Sequence, residues 1–295
     1  MLARPGLPSF DYVRASDPDE VVRLLNKHGE AAQLVMGGTD LFVRMRDGFI
    51  RPQVVVDVKH VPGLRDIVYD PQAGLTVGAA VTMNEIARHP DVKAHYPLLA
   101  EAANSVASYQ LRNRATIGGN LCNSSPAADT APAALVLEGH IVLYGPGGER
   151  EVEADAFFLG PGETAMQAGE LMTAIRFPIL PAGSVGKYLK LGRSKAGDLA
   201  IAGVAVLGFS DETTPSGYRF RIGLASVAPV PLRAVGAEEV LAKNPPGEAT
   251  FILAAERVME ATTPIDDVRA SGAYRKAMVR NLTLRGLQDV ARRLH

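Results

Sequence analysis

Arg112-Asn113-Arg114-Ala115-Thr116-Ile117-Gly118-Gly119-Asn120 is the stretch that decides the fold. A β-branched pair runs straight into two consecutive glycines, which can take φ > 0 and let the backbone come close to a ligand. The residues that follow are nearly all small: Asn120, Cys122, Asn123, Ser124, Ser125, Ala127 and Ala128, closed off by Asp129. Such a loop has little core to build, yet it is rich in backbone N–H groups and short polar side chains, the parts that surround a diphosphate. A second glycine pair ends an apolar, strand-like run in Leu34-Val35-Met36-Gly37-Gly38-Thr39-Asp40-Leu41. One Gly-Gly after a strand is an ordinary turn. Two of them, in these settings, predict one extended ligand held between them.

Outward from these segments the pattern is α+β. Ser16-Asp17-Pro18-Asp19-Glu20 combines capping oxygens, an early proline and acids near the positive end of the dipole, so a helix starts there. It turns Val21, Val22, Leu24 and Leu25 inward and stops at Gly29. Strands are expected over 32–36 and 53–58, with a helix over 40–47 between them. Two further strands, 65–69 and 75–78, flank the turn Asp70-Pro71-Gln72-Ala73-Gly74. Thr82-Met83-Asn84-Glu85 is a capping box for a helix ending before Pro90. One long Ala-rich helix is expected over 97–108, leading into the 116–120 loop, and another over 129–137. Strands follow at 140–144, 149–153 and 172–177, and Pro178 with Pro181-Ala182-Gly183 marks a boundary. Beyond it, strands over 186–191, 200–209 and 218–225 precede helices near 236–242, 249–261 and 274–294. Strands then helices imply an antiparallel sheet covered on one face. The expected domains are 1–180, with subdomains of about 1–57 and 58–180, and 184–295.

Composition excludes several classes. The 295 residues are 47% hydrophobic and 21% charged with a formal net charge of -1, an ordinary globular balance without the basic face that nucleic acid or an anionic membrane would want. Basic residues near the end (Arg275, Lys276, Arg280, Arg285, Arg292, Arg293) recur at helical spacing, as on a solvated helix face. No apolar run approaches the ~18 residues of a membrane span, and Met1–Pro8 lacks an apolar signal core, so a cytoplasmic protein is expected. The single cysteine, Cys122, rules out an intrachain disulfide and any all-cysteine iron–sulfur or zinc site, and reads as a packed thiol. P-loop, Rossmann, nucleophile-elbow and H-E-x-x-H motifs are absent. The six histidines (His28, His60, His89, His95, His140, His295) are scattered and no metal set or acid–base dyad stands out. The chain reads as the holder of a cofactor that carries the chemistry itself.

Segments 34–41 and 112–120 resemble the two FAD-binding loops of the xanthine oxidase family. They are similar above all to the separate flavoprotein (medium) subunit of bacterial molybdenum hydroxylases such as carbon monoxide dehydrogenase and nicotinate dehydrogenase. Tyr188-Leu189-Lys190-Leu191-Gly192-Arg193-Ser194-Lys195-Ala196-Gly197-Asp198 resembles that family's later flavin-contacting strand, and the likeness runs over essentially the whole chain. It implies a two-part FAD-binding domain of the PCMH/vanillyl-alcohol-oxidase-like type followed by a smaller α+β domain. It implies FAD held by Leu34, Val35, Met36, Gly37, Gly38, Thr39, Asp40 and Leu41 on one side and by Thr116, Ile117, Gly118, Gly119 and Asn120 on the other. Asp129 matches an acidic residue that bonds the flavin's sugar portion, or else caps the helix it opens. Lys190 matches a lysine near the flavin ring, or else is a surface lysine at a strand edge. Leu171, Met172 and Val106 match apolar cofactor contacts and would suit strand or helix packing equally well. Several relatives carry an aromatic residue over the ring where this chain has Leu199.

The resemblance implies an electron-transfer subunit, with a molybdopterin cofactor in a large partner, two [2Fe-2S] clusters in a small partner, and a dimer of heterotrimers. Two rivals stand beside it: a self-contained FAD-dependent oxidoreductase of the same superfamily, and a scaffold whose glycine pairs are only turns.

Overall fold

The computed structural model describes residues 6–194 and 197–294. Met1–Pro5, His295 and the Lys195-Ala196 part of the third family-like segment lie outside the described residues.

Val54–Asp57 reads Val-Val-Val-Asp and is buried at every position, as a central parallel strand must be. It pairs in parallel with Asp11–Arg14 on one side and Ala32–Val35 on the other. The helix Pro18–His28 makes the crossover; Asp17 caps it by accepting from Glu20 N, and Gly29 ends it at φ 53°. Asp11–Arg14 is absent from the sequence-based pattern because, as an edge strand, it buries almost none of its residues.

A five-stranded antiparallel sheet follows, in the order Ile67–Asp70, Gly74–Gly78, Leu171–Phe177, His140–Gly145, Gly148–Glu153. The capping box forms as expected: Glu85 N donates to Thr82 Oγ1 at 3.4 Å and Thr82 N to Glu85 Oε2 at 2.7 Å. The long helix does not. Pro97–Ser105 ends at Val106, Ala107 turns into the left-handed region at φ 41°, and Ser108 caps a separate short helix, Tyr109–Arg112. Arg112 stabilises the break by donating Nη1 to the carbonyls of Val106 (2.9 Å) and Ala107 (3.1 Å).

The third sheet, Val185–Leu191, Ala202–Ser210, Tyr218–Ala225 and Leu232–Arg233, is antiparallel throughout. Its helices Val235–Lys243, Glu248–Glu260 and Gly272–Leu294 cover one face. The other face is covered too, which corrects the expectation of a half-exposed sheet. Its residues Tyr188, Ala205, Leu207 and Phe209 join the core of the preceding domain. The reason lies in the composition of Ala202–Phe209, a continuous apolar and glycine run with every residue buried. Glycines set the approach: a Cβ on Gly223 would fall 2.5 Å from the Pro132 carbonyl, and one on Gly186 2.8 Å from Leu98 Cβ.

Candidate functional site

Gly37 and Gly38 leave the carboxyl end of the parallel strand Ala32–Val35, where ligands of α/β sheets bind. They reach the short helix Leu41–Arg46 through Thr39 and Asp40. Among the described residues, no protein group accepts from the N–H groups of Gly37, Gly38, Thr39 or Asp40. Four backbone donors in a row, free of internal partners, suit an anion.

The second segment lies directly against the first. A Cβ on Gly37 would sit 2.2 Å from the Arg114 carbonyl oxygen, and Thr116 Oγ1 lies 3.8 Å from Met36 Sδ. The expected open loop at 116–120 is instead the start of a helix, Ile117–Cys122, so Gly118 and Gly119 do not use φ > 0; of the four glycines only Gly38 does (73°). Thr116 caps this helix by accepting from Gly119 N at 3.1 Å. Gly118 is needed for packing, since a Cβ there would come within 2.8 Å of the Ala79 carbonyl oxygen. Gly119 is different: it is exposed, and a Cβ would meet only Thr116 Oγ1, at 3.0 Å.

From Asn120 the polar residues continue as one chain of contacts. Thr130 Oγ1 donates to Asn120 Oδ1 at 2.5 Å, linking Ile117–Cys122 to the next helix, Thr130–Val136. Asp129 precedes that helix but its side chain makes no capping bond, which corrects the N-cap reading. Its carboxylate points to the second domain instead. Lys190 Nζ donates to Asp129 Oδ2 at 2.7 Å and to the Ser105 carbonyl at 3.0 Å, and Tyr188 Oη donates to Asp129 Oδ1 at 2.8 Å. Lys190 is therefore no surface lysine, although its strand is at the sheet edge. Burial pushes the Asp129 carboxyl up, and the Lys190 ammonium and Tyr188 hydroxyl draw it part of the way back. Each carboxylate oxygen keeps a lone pair for a further donor.

Other expected positions serve packing. The side chains of Val35, Ile117, Leu171 and Met172 are in the core, so only their backbone could meet a ligand. Leu34 and Leu41 are partly buried in neighbouring apolar clusters. Cys122 Sγ rests 3.6 Å from Met172 Sδ, and burial pushes its thiol up to about 12, which keeps it unreactive. Val106, also buried, follows the carbonyl that Lys190 engages. Leu199 is exposed.

Sequence reasoning missed the supports: Tyr188, and the pair Arg112–Asn84. Asn84 Oδ1 accepts from Arg112 Nε at 3.1 Å while its amide donates to Asn113 Oδ1 at 2.7 Å and to the Tyr109 carbonyl at 3.0 Å. Tyr188 could have been found, because alternation places it on the face of Lys190. Asn84 carries no such signal.

Comparison with known proteins decides the family. Residues 8–180 match the family model described as the FAD binding domain in molybdopterin dehydrogenase, and residues 187–290 the CO dehydrogenase flavoprotein C-terminal domain. The chain belongs to the FAD-binding subunits of the molybdenum hydroxylase family. It is 36% identical over 280 residues to the carbon monoxide dehydrogenase medium chain of Hydrogenophaga pseudoflava, covering 95% of this chain and 96% of that one. It is 30% identical over 279 residues to the xanthine dehydrogenase FAD-binding subunit of Escherichia coli O157:H7, covering 94% of each. Among solved structures, the Hydrogenophaga carbon monoxide dehydrogenase superposes with a TM-score of 0.92 over 97% of this chain and 99% of that chain, at 36% identity. This flavoprotein subunit thus has a two-domain fold, an FAD-binding domain followed by a mixed helix and antiparallel-sheet domain, and FAD is its cofactor.

Proposed function

We propose that this flavoprotein subunit passes electrons from the [2Fe-2S] clusters of a small partner subunit, through its FAD, to an external acceptor. A large molybdenum-cofactor partner would oxidise the substrate, and the three chains would assemble as a dimer of heterotrimers. The domains read as 1–180, with subdomains of about 1–57 and 58–180, and 184–295.

The observation that carries this reading is the contact between the two glycine segments. They present unpartnered N–H groups of residues 37–40 beside the helix that Thr116 opens. The residues fit the cofactor. Gly37, Gly38, Thr39 and Asp40 would hold the diphosphate with their N–H groups, and Thr116 to Asn120 would close its other side. The N–H groups from Ile117 to Asn120 are taken by Val81, Ala79 and Thr116 rather than free as the sequence suggested. The missing Cβ at Gly119 leaves room that a side chain would fill. Asp129 would accept from the sugar portion, and Lys190 would place its ammonium near the ring, where a cation stabilises the negative charge of reduction. Bound there, FAD supplies the ability to exchange electrons singly or in pairs. The chain adds binding, orientation and a fixed charge. Its one cysteine cannot furnish an iron–sulfur cluster, so the relay upstream falls to a partner.

Affinity purification of the tagged subunit from its native host tests the assembly. The expected outcome is recovery of two further chains carrying molybdenum and iron, in which substrate bleaches the flavin absorbance after the iron–sulfur bands. A lone chain that turns over an organic substrate by itself would establish the self-contained oxidoreductase in its place.

A further inference from the structure

The Asp129–Lys190 pair is completed by a third group. Tyr188 stands two residues before Lys190 on Val185–Leu191, so both side chains leave the same face of the strand. Tyr188 is only 6% exposed, and its hydroxyl donates to Asp129 Oδ1 at 2.8 Å while Lys190 occupies Oδ2. The backbone of Tyr188 is held as well, its N–H donating to Glu101 Oε2 at 3.0 Å. Across the ladder, Lys190 pairs in register with Gly203, and a Cβ on Gly203 would fall 2.7 Å from Tyr188 Oη. The glycine leaves the space that the hydroxyl fills.

We propose that Tyr188 is a positioning residue for the FAD site, fixing the Asp129 carboxylate so that it holds the Lys190 ammonium at the end of the helix Pro97–Ser105, and that Gly203 is the opening that admits the phenol. The inference rests on the reading that FAD binds along the two glycine segments and Asp129. The physical case is one of unequal alternatives. Two hydrogen bonds orient a carboxylate in its plane, whereas one leaves it free to swing about its Cβ–Cγ bond. A buried carboxylate left with an empty oxygen also carries the full desolvation cost of that group. The ammonium benefits in turn, because the Ser105 carbonyl lies at the negative end of its helix, and this end together with Asp129 confines the cation to one place.

The protonation states agree. Burial and the neighbouring Asp129 charge push the Tyr188 phenol far above its ordinary value, so it stays a neutral donor at every working pH. For Asp129, burial raises the carboxyl, and Lys190 and Tyr188 are the two groups that oppose it. The other nearby charges, Glu101 and Lys187, pair with each other at 3.0 Å. Removing the phenol lets Asp129 take a proton at a higher pH, and Lys190 then loses its counter-charge.

The test is FAD titration of the full chain, followed by flavin fluorescence from about pH 8 to about pH 5.5, with melting curves on the same samples. In wild type the dissociation constant should be nearly flat with pH. Tyr188→Phe should weaken binding about tenfold at neutral pH and further toward acid, with a smaller effect on the melting temperature. Gly203→Ala, which keeps the tyrosine but displaces its hydroxyl, should weaken binding similarly on its own and add little in the Tyr188→Phe background, where the hydroxyl is gone. That non-additivity is not expected of a purely structural tyrosine. Wild-type affinity with a flat pH profile in Tyr188→Phe, or an undiminished Gly203→Ala penalty in that background, would overturn the proposal while leaving the FAD site intact. Absence of FAD binding in wild type would overturn both.

Discussion

Gly37-Gly38 and Gly118-Gly119 are the same dipeptide, one after an apolar strand and one after the β-branched pair Thr116-Ile117, and the protein uses them in different ways. In the first pair one glycine is required for backbone contact, since Gly37 abuts the Arg114 carbonyl, and the other for its left-handed conformation. In the second pair both residues are helical, and the difference is between sides: Gly118 faces the Ala79 backbone and Gly119 faces outward. A glycine in such a segment can therefore allow close packing, a left-handed turn or an open face. Only the surroundings tell which.

That distinction can be broken by substitution. The largest effect is expected for Gly37→Val, because the atom it meets at 2.2 Å is backbone and cannot rotate away. The two segments must part, so the melting temperature should fall by roughly 5 °C or more and FAD should be lost. Full flavin occupancy in that variant would show that the contact is dispensable. Next come the two glycines of the helix, which should separate cleanly. Gly118→Ala should lower stability through its clash with Ala79, and FAD affinity only as a consequence. Gly119→Val should leave melting within a few degrees but weaken FAD about tenfold or more, by filling the open space beside Gly119 on the exposed side of its helix. Equal effects of both on stability and binding would erase the difference argued between them.

The smallest effect is a control outside both segments. Glu170 accepts from Arg150 Nε at 2.6 Å and Nη2 at 2.8 Å, and the guanidinium holds its carboxyl below the ordinary value of 4.5. A depressed carboxyl contributes stability that is complete above its unfolded value and lost as pH falls through the folded one. Melting temperature should therefore decline on acidification below about pH 4.5, less steeply in Glu170→Gln. The Gly119→Val variant should keep the wild-type slope. A changed slope there would mean that the substitution loosens the whole domain.

Much of this arrangement was legible before the structure. The strands at Ala32–Val35 and Val54–Asp57, the capping box at Thr82, the strand-then-helix order of the second half and both glycine segments follow from periodicity and local chemistry, which act over a few residues. What was not legible depends on distant partners. The break at Val106–Ala107 is fixed by Arg112, whose reach to those carbonyls no helical propensity encodes. The need for a glycine at 118 comes from the close approach of Ala79. The buried second face of the Ala202–Ser210 sheet was in principle readable from its unbroken apolar run. Asp129 had the composition of a cap, and only the opposing Lys190 and Tyr188 draw its carboxylate across the domain boundary.

The central claim, that two abutting glycine segments form a diphosphate site, is tested most directly by competing FAD against FMN for the flavin-free chain and measuring the stoichiometry and affinity of each. The account predicts one FAD per chain and FMN bound far more weakly, since FMN lacks the second phosphate and the adenosine that an extended site between the two segments would hold. Equal affinity for FMN, or no flavin bound at all, would contradict it.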